Sequence, residues 1–274
     1  MSDTTLASFL MPEGYARPHL AALTRELSVL GEAARYAVRS AEQVPGALRR
    51  GGAREGVDPV LLVPGFLAGD YTLTAMSRTL RARGFRTYRA HIRANVGCTQ
   101  QAATAIEERL ERIVERRGTR VQVVGHSLGG MMARGLAVRR PDLVSGIVTM
   151  GSPMLAPGAH HRLLSVGVDA LVHLSRVGVP GVMRPECVAG FCARNSFEET
   201  REPVPTDVGF TAIYSRRDGV VDWRACVDPL AEQVEVRASH LGMALDPRVA
   251  DHVSAALRAQ LAAPSVERSG LRIA

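Results

Sequence analysis

The stretch Val121-Gln122-Val123-Val124-Gly125-His126-Ser127-Leu128-Gly129-Gly130-Met131-Met132 decides the fold. A β-branched run ends at Gly125, and Ser127 sits at the centre of a Gly-x-Ser-x-Gly pattern. The residues that follow, Met131 to Val138, suit a buried helix. Strand, sharp glycine-flanked turn and helix together form the context in which a serine hydroxyl is pushed out of a strained corner. Gly125 and Gly129 permit the corner, because a side chain there collides with the crossing strand and helix. The helix starts directly after the serine, so its unpaired first amides point toward any negative oxygen formed at Ser127.

Outward from this stretch the chain alternates. Pro59 to Val63 is a short apolar run that suits a strand buried on both faces. Residues 70–83 read as a helix with Leu73, Met76 and Leu80 inside, stopped by Gly84. Phe85 to Ile92 reads as a second strand, and residues 99–117 as a long charged helix burying Ile106, Leu110 and Ile113. Arg120 to Val124 is the third strand and Leu143 to Met150 the fourth. Phe210 to Tyr214 and Val234 to Val236 read as the fifth and sixth, and Pro247 to Leu261 as the last helix. Alternation of this kind calls for an α/β fold: a mostly parallel sheet of about six strands with helices on both faces.

Three regions stand outside the rhythm. Residues 1–57 form an N-terminal segment: an irregular start, a helical pattern over 18–40, and a glycine-rich linker over 45–58. Leu20, Leu23, Leu27, Leu30 and Ala34 share one helix face, which is expected to dock on the domain. The alternative is an amphipathic helix resting on a membrane or covering an active-site entrance. Residues 58–262 form the main domain, and 154–205 are an insertion expected to act as a cap or lid. Residues 263–274 are expected to be a frayed tail.

Composition excludes some classes. The net charge is +7 and the pI about 9.9. All 34 basic residues are Arg, scattered and interleaved with Glu, and no nucleic-acid motif accompanies them. Nucleic acid is therefore not an expected partner, whereas contact with an anionic lipid surface is more compatible with the charge. No secretory signal opens the chain and no apolar run spans a bilayer, so the expected location is the cytoplasm, with peripheral membrane contact open. Cys98, Cys187, Cys192 and Cys226 form no Cys-x-x-Cys pair, so zinc is not expected and free thiols are the default. Pairing among Cys187, Cys192 and Cys226 stays open for an oxidising compartment. Nothing in the sequence speaks to oligomeric state.

A serine hydroxyl needs a base, and the base needs a group to orient it. At the carboxyl ends of parallel strands the expected chain order is Ser, then an acid, then His. Asp218 follows the fifth strand and His240 follows the sixth. Asp222 competes with Asp218, but lies farther from the strand end and is placed to cap the turn at Trp223. His126 is read as a support residue, and His160, His161 and His173 as surface or lid residues. Met131 and Met132 are core filler.

The pieces Gly125-His126-Ser127-Leu128-Gly129, Val63-Pro64-Gly65-Phe66, Ser215-Arg216-Arg217-Asp218 and Ser239-His240 resemble the α/β-hydrolase family. The resemblance is to its lipase and carboxylesterase branch, nearest to actinobacterial lipase-like hydrolases, and it covers roughly residues 58–262 by the strand–helix alternation. It implies Ser127 as nucleophile, His240 as general base and then acid, and Asp218 as the residue holding the imidazole. It also implies an oxyanion hole from the backbone N–H groups of Phe66 and Leu128. Pro64-Gly65 stands where the family often has His-Gly, so any role of that His is not carried over. Leu67 and Leu155, with Phe66, are candidates to line an acyl pocket. The expected activity is hydrolysis of a carboxylic ester, with a lipid-like acyl chain suggested by the apolar insertion. No metal or organic cofactor is required. An acyltransferase using the same three residues, or a non-catalytic binding protein on the same fold, are the alternatives.

Overall fold

The computed structural model describes residues 6–47 and 59–262, with backbone only for 43–47. Six parallel strands form one sheet among these residues: β1 (Pro59–Val63), β2 (Arg86–Arg89), β3 (Val121–His126), β4 (Val144–Met150), β5 (Gly209–Tyr214) and β6 (Glu232–Glu235). Their order is β2-β1-β3-β4-β5-β6. The first crossover goes one way and the later ones return the other way, so β1 and β3 flank the point where strand order reverses. In such sheets ligands bind beyond the carboxyl ends of the strands at that point.

Strand alternation sorts the core into two layers. Val60, Leu62, Val124, Val148 and Ile213 pack with α2 (Thr74–Ala82) and α8 (Pro247–Ala262). Leu61, Val63, Val121, Val123 and Ile147 pack with α3 (Thr99–Arg117) and α4 (Leu128–Arg139). Each central strand is thus buried on both faces, which explains the continuous apolar runs in the sequence. Gly118 ends α3 in the left-handed conformation with φ 68°, and its N–H bonds the Val114 carbonyl.

Between β4 and β5 lies the insertion, carrying α5 (Arg162–Arg176), α6 (Pro185–Val188) and α7 (Phe191–Glu199). A buried ion pair ties its end to the body. Arg134 of α4 is only 2% exposed. Its Nε donates to Asp228 Oδ2 at 2.7 Å, and its Nη1 to the Glu202 carbonyl at 2.9 Å. The long apolar run around it in sequence conceals this charge, which is satisfied only by residues remote in the chain.

The N-terminal segment departs from expectation. A 3-10 turn at Leu20–Ser28 leads into α1 (Val29–Ala47), which runs past Ser40 into the span assigned to the linker. The rest of that linker, 48–58, lies outside the described residues, as does the tail 263–274. Apart from the partly buried Leu23, the apolar stripe does not dock. Leu20, Leu27 and Leu30 are each about 70% exposed, and Ala34 is exposed too. The docked face is polar: Arg35 pairs with Asp246 and Arg39 with Asp251, while Glu32 is wholly buried. Periodicity identified the helix and misassigned its inner face, because charged partners on the body outweigh burial of a few leucines. Among the described residues, no helix is long and apolar enough to cross a membrane.

Breaking one half of a buried ion pair strands the other charge, which costs about 3–5 kcal/mol. Arg134→Ala and Asp228→Ala should each lower the unfolding free energy by about that amount in urea denaturation, and the double variant by less than the sum.

Candidate active site

Ser127 occupies the corner between β3 and α4 with φ 52° and ψ −123°. That conformation is costly for a residue with a side chain and persists only when its surroundings enforce it. They do so on three sides. The Ser127 N–H donates to the Met150 carbonyl at 2.8 Å, anchoring the corner to β4. A Cβ on Gly125 would overlap the backbone of Gly129 and Gly130, and one on Gly129 would overlap the carbonyls of Val63 and Pro64. A Cβ on Gly65 would stand 3.0 Å from that of Ser127. Strand, helix and the loop after β1 therefore meet around the serine with no room for a methyl group.

Two backbone donors lie near this corner in the chain: those of Leu128, next to Ser127, and Phe66, next to Gly65. The Leu128 N–H opens α4, and the Phe66 N–H lies in the loop after β1; neither has an acceptor among the described residues. Asn95 fixes that loop by donating its Nδ2 to the Pro64 carbonyl at 3.1 Å and accepting the Leu67 N–H at 3.0 Å through its own carbonyl. Both Phe66 and Leu128 line the same cavity as Ser127.

The structure brings His240 and Asp218 together. Asp218 Oδ2 lies 2.7 Å from His240 Nδ1, and both residues are about 4% exposed. The other carboxylate oxygen accepts the N–H groups of Val220 and Val221, each at 2.8 Å. Asp218 is thereby locked in one rotamer, pointed at the imidazole. Asp222 does something else: it caps the 3-10 turn Trp223–Cys226, accepting from the Arg224 N–H, and pairs with the Arg224 guanidinium. The His240 ring lies over Gly151, the residue after β4, where an added Cβ would come within 3.1 Å of Nδ1. Ser127 and His240 thus both rest on the end of β4.

His126 supports this arrangement. Its ring centroid is 4.8 Å from that of His240, and its Nε2 donates to the His240 carbonyl at 2.9 Å. Burial, reinforced by the nearby His240, lowers the His126 pKa to about 3, so the ring stays neutral. His240 moves the other way. Burial pushes it down, but the charge and hydrogen bond of Asp218, helped by Glu26, raise it above the ordinary value of about 6.5.

Glu26 and Glu32 were not singled out by the sequence. Glu26 Oε1 accepts the N–H groups of His240 and Gly219 at 3.0 and 2.9 Å, and its Oε2 accepts that of Leu241 at 3.0 Å. Glu32 accepts the Ser239 N–H at 2.8 Å, the Ser239 hydroxyl at 2.6 Å and the Ser28 hydroxyl at 3.1 Å. Two carboxylates from the N-terminal segment therefore hold the loops that carry His240 and Asp218. Sequence distance hid them: 207 residues separate Glu32 from Ser239. On a helix wheel they read as ordinary solvated charges.

The cavity at Ser127 is about 130 Å³ and is lined chiefly by apolar groups, including Phe66, Met131, Leu164, Val168 and Phe197. Leu6 and Leu10 of the N-terminal segment also line it, and Gly158 donates its N–H to the Leu10 carbonyl at 2.6 Å. Of the suggested acyl-pocket residues, only Phe66 lines this cavity. Leu67 is 46% exposed, and Leu155 lines a separate surface pocket with Tyr15 and Trp223. A left-handed φ of 59° at Leu67 and the turn of the chain after Pro153 carry these side chains away. His160 corrects the surface reading: it is buried in the cavity wall, its Nδ1 has no hydrogen-bond partner among the described residues, and burial lowers its pKa to about 4. His161 is buried as well, its Nδ1 accepting the Leu163 N–H at the start of α5.

A family model described as the alpha/beta hydrolase fold matches residues 58–175. The mature lipase BlEst2 of Bacillus licheniformis superimposes with a TM-score of 0.57 at 12% identity, over 74% of this chain and 93% of that one. A highly thermostable carboxyl esterase from Bacillus coagulans gives 0.54 at 16% identity, over 77% and 92%. The monoacylglycerol lipase of Paleococcus ferrophilus gives 0.50 at 14% identity, over 73% and 96%. None of the curated proteins is similar enough in sequence to count as a match.

Removing the Glu26 charge while keeping its shape should lower the His240 pKa. Glu26→Gln is therefore expected to shift the imidazole titration, followed by NMR, to lower pH, while His126 stays neutral throughout. An unshifted His240 titration would exclude the carboxylate's field as a cause.

Proposed function

This chain has the α/β-hydrolase fold, and we propose that it is a serine hydrolase that cleaves carboxylic esters with apolar acyl groups. The reading is supported by strained Ser127 at the end of β3 and by the hydrogen-bonded Asp218–His240 pair, whose members follow β5 and β6 on the same edge of the sheet. In this reading His240 takes the Ser127 hydroxyl proton as Oγ attacks the ester carbonyl. The Phe66 and Leu128 amides hold the oxyanion while the tetrahedral intermediate lasts. Its collapse expels the alkoxide, which leaves with the proton from His240 and forms an acyl-enzyme at Ser127. Water, deprotonated by His240, then releases the acid and restores the serine. Asp218 keeps Nδ1 protonated and so leaves Nε2 as the base, as in the general Ser-His-Asp scheme.

The choice of an apolar acyl group rests on the cavity lining. The insertion helices and the segment 6–11 form a cap over Ser127 that would exclude water and grip a hydrocarbon chain. Among the described residues the Nδ1 of His160 is a buried side-chain atom of that wall with no hydrogen-bond partner, and it would meet a polar group of the substrate. Exposed Leu20, Leu27 and Leu30, with Leu163, Val166 and Phe191 of the cap, make peripheral contact with a lipid interface part of the same proposal.

A fluorophosphonate should label Ser127, and Ser127→Ala should lose both labelling and hydrolysis of p-nitrophenyl esters; hydrolysis that persists in that variant would sink the assignment. Asp218→Asn is expected to reduce kcat by about 10⁴-fold, the loss seen when the equivalent acid of a Ser-His-Asp triad is amidated, and Asp222→Asn far less. Because His240 acts as a neutral base with a raised pKa, kcat/KM should fall as pH drops through a value above about 6.5. A series of esters of increasing acyl length should show kcat/KM rising from acetyl to longer chains.

A further inference from the structure

Cys98, Cys187 and Cys192 are far apart in sequence, yet their three Sγ atoms all lie within 4.8 Å of one another. They come from three elements: Cys98 immediately precedes α3, Cys187 lies in α6, and Cys192 in α7. All are free thiols. Cys226 takes no part; it is buried, with its thiol against the Asp222 carbonyl. Spacing argued against a metal because no Cys-x-x-Cys pair exists, but the tertiary structure supplies the cluster that local spacing lacks.

The geometry suits a metal. Three thiolates bound to one ion at about 2.3 Å stand roughly 4 Å apart, and the observed sulfurs, all within 4.8 Å of one another, are close to that spacing. An all-sulfur set selects soft cations, Cu(I) and Zn(II) among them. Zinc in structural sites is almost always four-coordinate, and no His or carboxylate joins the three sulfurs among the described residues. Three-coordinate sulfur is a good geometry for Cu(I). Position adds a consequence. Cys187 lines the cavity at Ser127, as does Thr99, the neighbour of Cys98. An ion here would cross-link α3 of the body to α6 and α7 of the insertion.

We propose that Cys98, Cys187 and Cys192 form a three-thiolate site for a thiophilic d10 cation, with Cu(I) the preferred ion. Binding forms three metal–sulfur bonds; each S–H bond broken releases its proton to solvent, and the cation keeps its oxidation state. The bound ion staples the insertion onto α3 and so stiffens the wall of the cavity. This site does not depend on the proposed ester chemistry.

The test uses the full chain, reduced and anaerobic, titrated with Cu(I) from a chromophoric Cu(I) chelator. One Cu(I) per chain should leave the chelator, and the loaded protein should melt at higher temperature. Cd(II) should give a thiolate-to-metal charge-transfer band in the ultraviolet. Cys98→Ser, Cys187→Ser and Cys192→Ser should each weaken Cu(I) binding by at least about tenfold, in line with the loss of a metal-site residue, and Cys226→Ser should not. Circular dichroism of each serine variant distinguishes a lost ligand from a lost fold, and a variant that misfolds is replaced by the matching alanine. Failure of the chelator to yield Cu(I), or equal binding in all four variants, would overturn the proposal. So would formation of a disulfide among these three on exposure to air with no uptake of Cu(I) or Cd(II) by the reduced chain.

Discussion

Ser127 is held at φ 52° and ψ −123°, and the arrangement of the molecule around it follows from that constraint. A strained residue of this kind costs about 1–3 kcal/mol, which the rest of the fold must offset. The offset comes from crowding. β3 and α4 cross so closely that Gly125 and Gly129 have no space for a Cβ, and the Met150 carbonyl holds the Ser127 amide. Relaxing the corner would separate the strand from the helix and open a core in which Val123, Ala133 and Leu136 are wholly buried. The strain is thus coupled to packing across the centre of the sheet, and it places Ser127 in the wall of the cavity that Phe66 and Leu128 also line.

Asp218 and His240 lie on loops after β5 and β6, and loops need separate anchoring. Asp218 is fixed by two backbone amides, and His240 by Asp218 and by the carboxylates of Glu26 and Glu32. A buried carboxylate such as Glu32 is tolerated because each of its oxygens accepts a hydrogen bond. The N-terminal segment therefore does two things. Its helical part clasps the His240 loop, and Leu6 and Leu10 among its first described residues line the cavity. Both roles fall outside the span 58–175 that matches the family model.

Much of this was legible before folding. The strand Pro59–Val63 and the helix over 99–117 have the bounds expected from the sequence, because apolar runs and glycine stops are local signals. The placement of Asp218 and His240 after β5 and β6 was also readable, since parallel topology dictates which ends of strands share a face. The inner face of α1 was misread. A wheel counts leucines and cannot see that Asp246 and Asp251 await Arg35 and Arg39. Leu155 and His160 exchanged places for a similar reason: inside an irregular insertion no periodicity says which side chain turns inward.

By itself, the sequence determined the α/β architecture, the strained serine corner, and the order in which acid and imidazole follow it, because each depends on periodicity, turn chemistry or topology within a short span. Only the tertiary structure decided which charges are buried as anchors, which residues wall the cavity, and which three thiols meet. Those depend on contacts between remote segments, more than two hundred residues apart for Glu32 with Ser239, where the energy lies in the partner rather than in the local pattern.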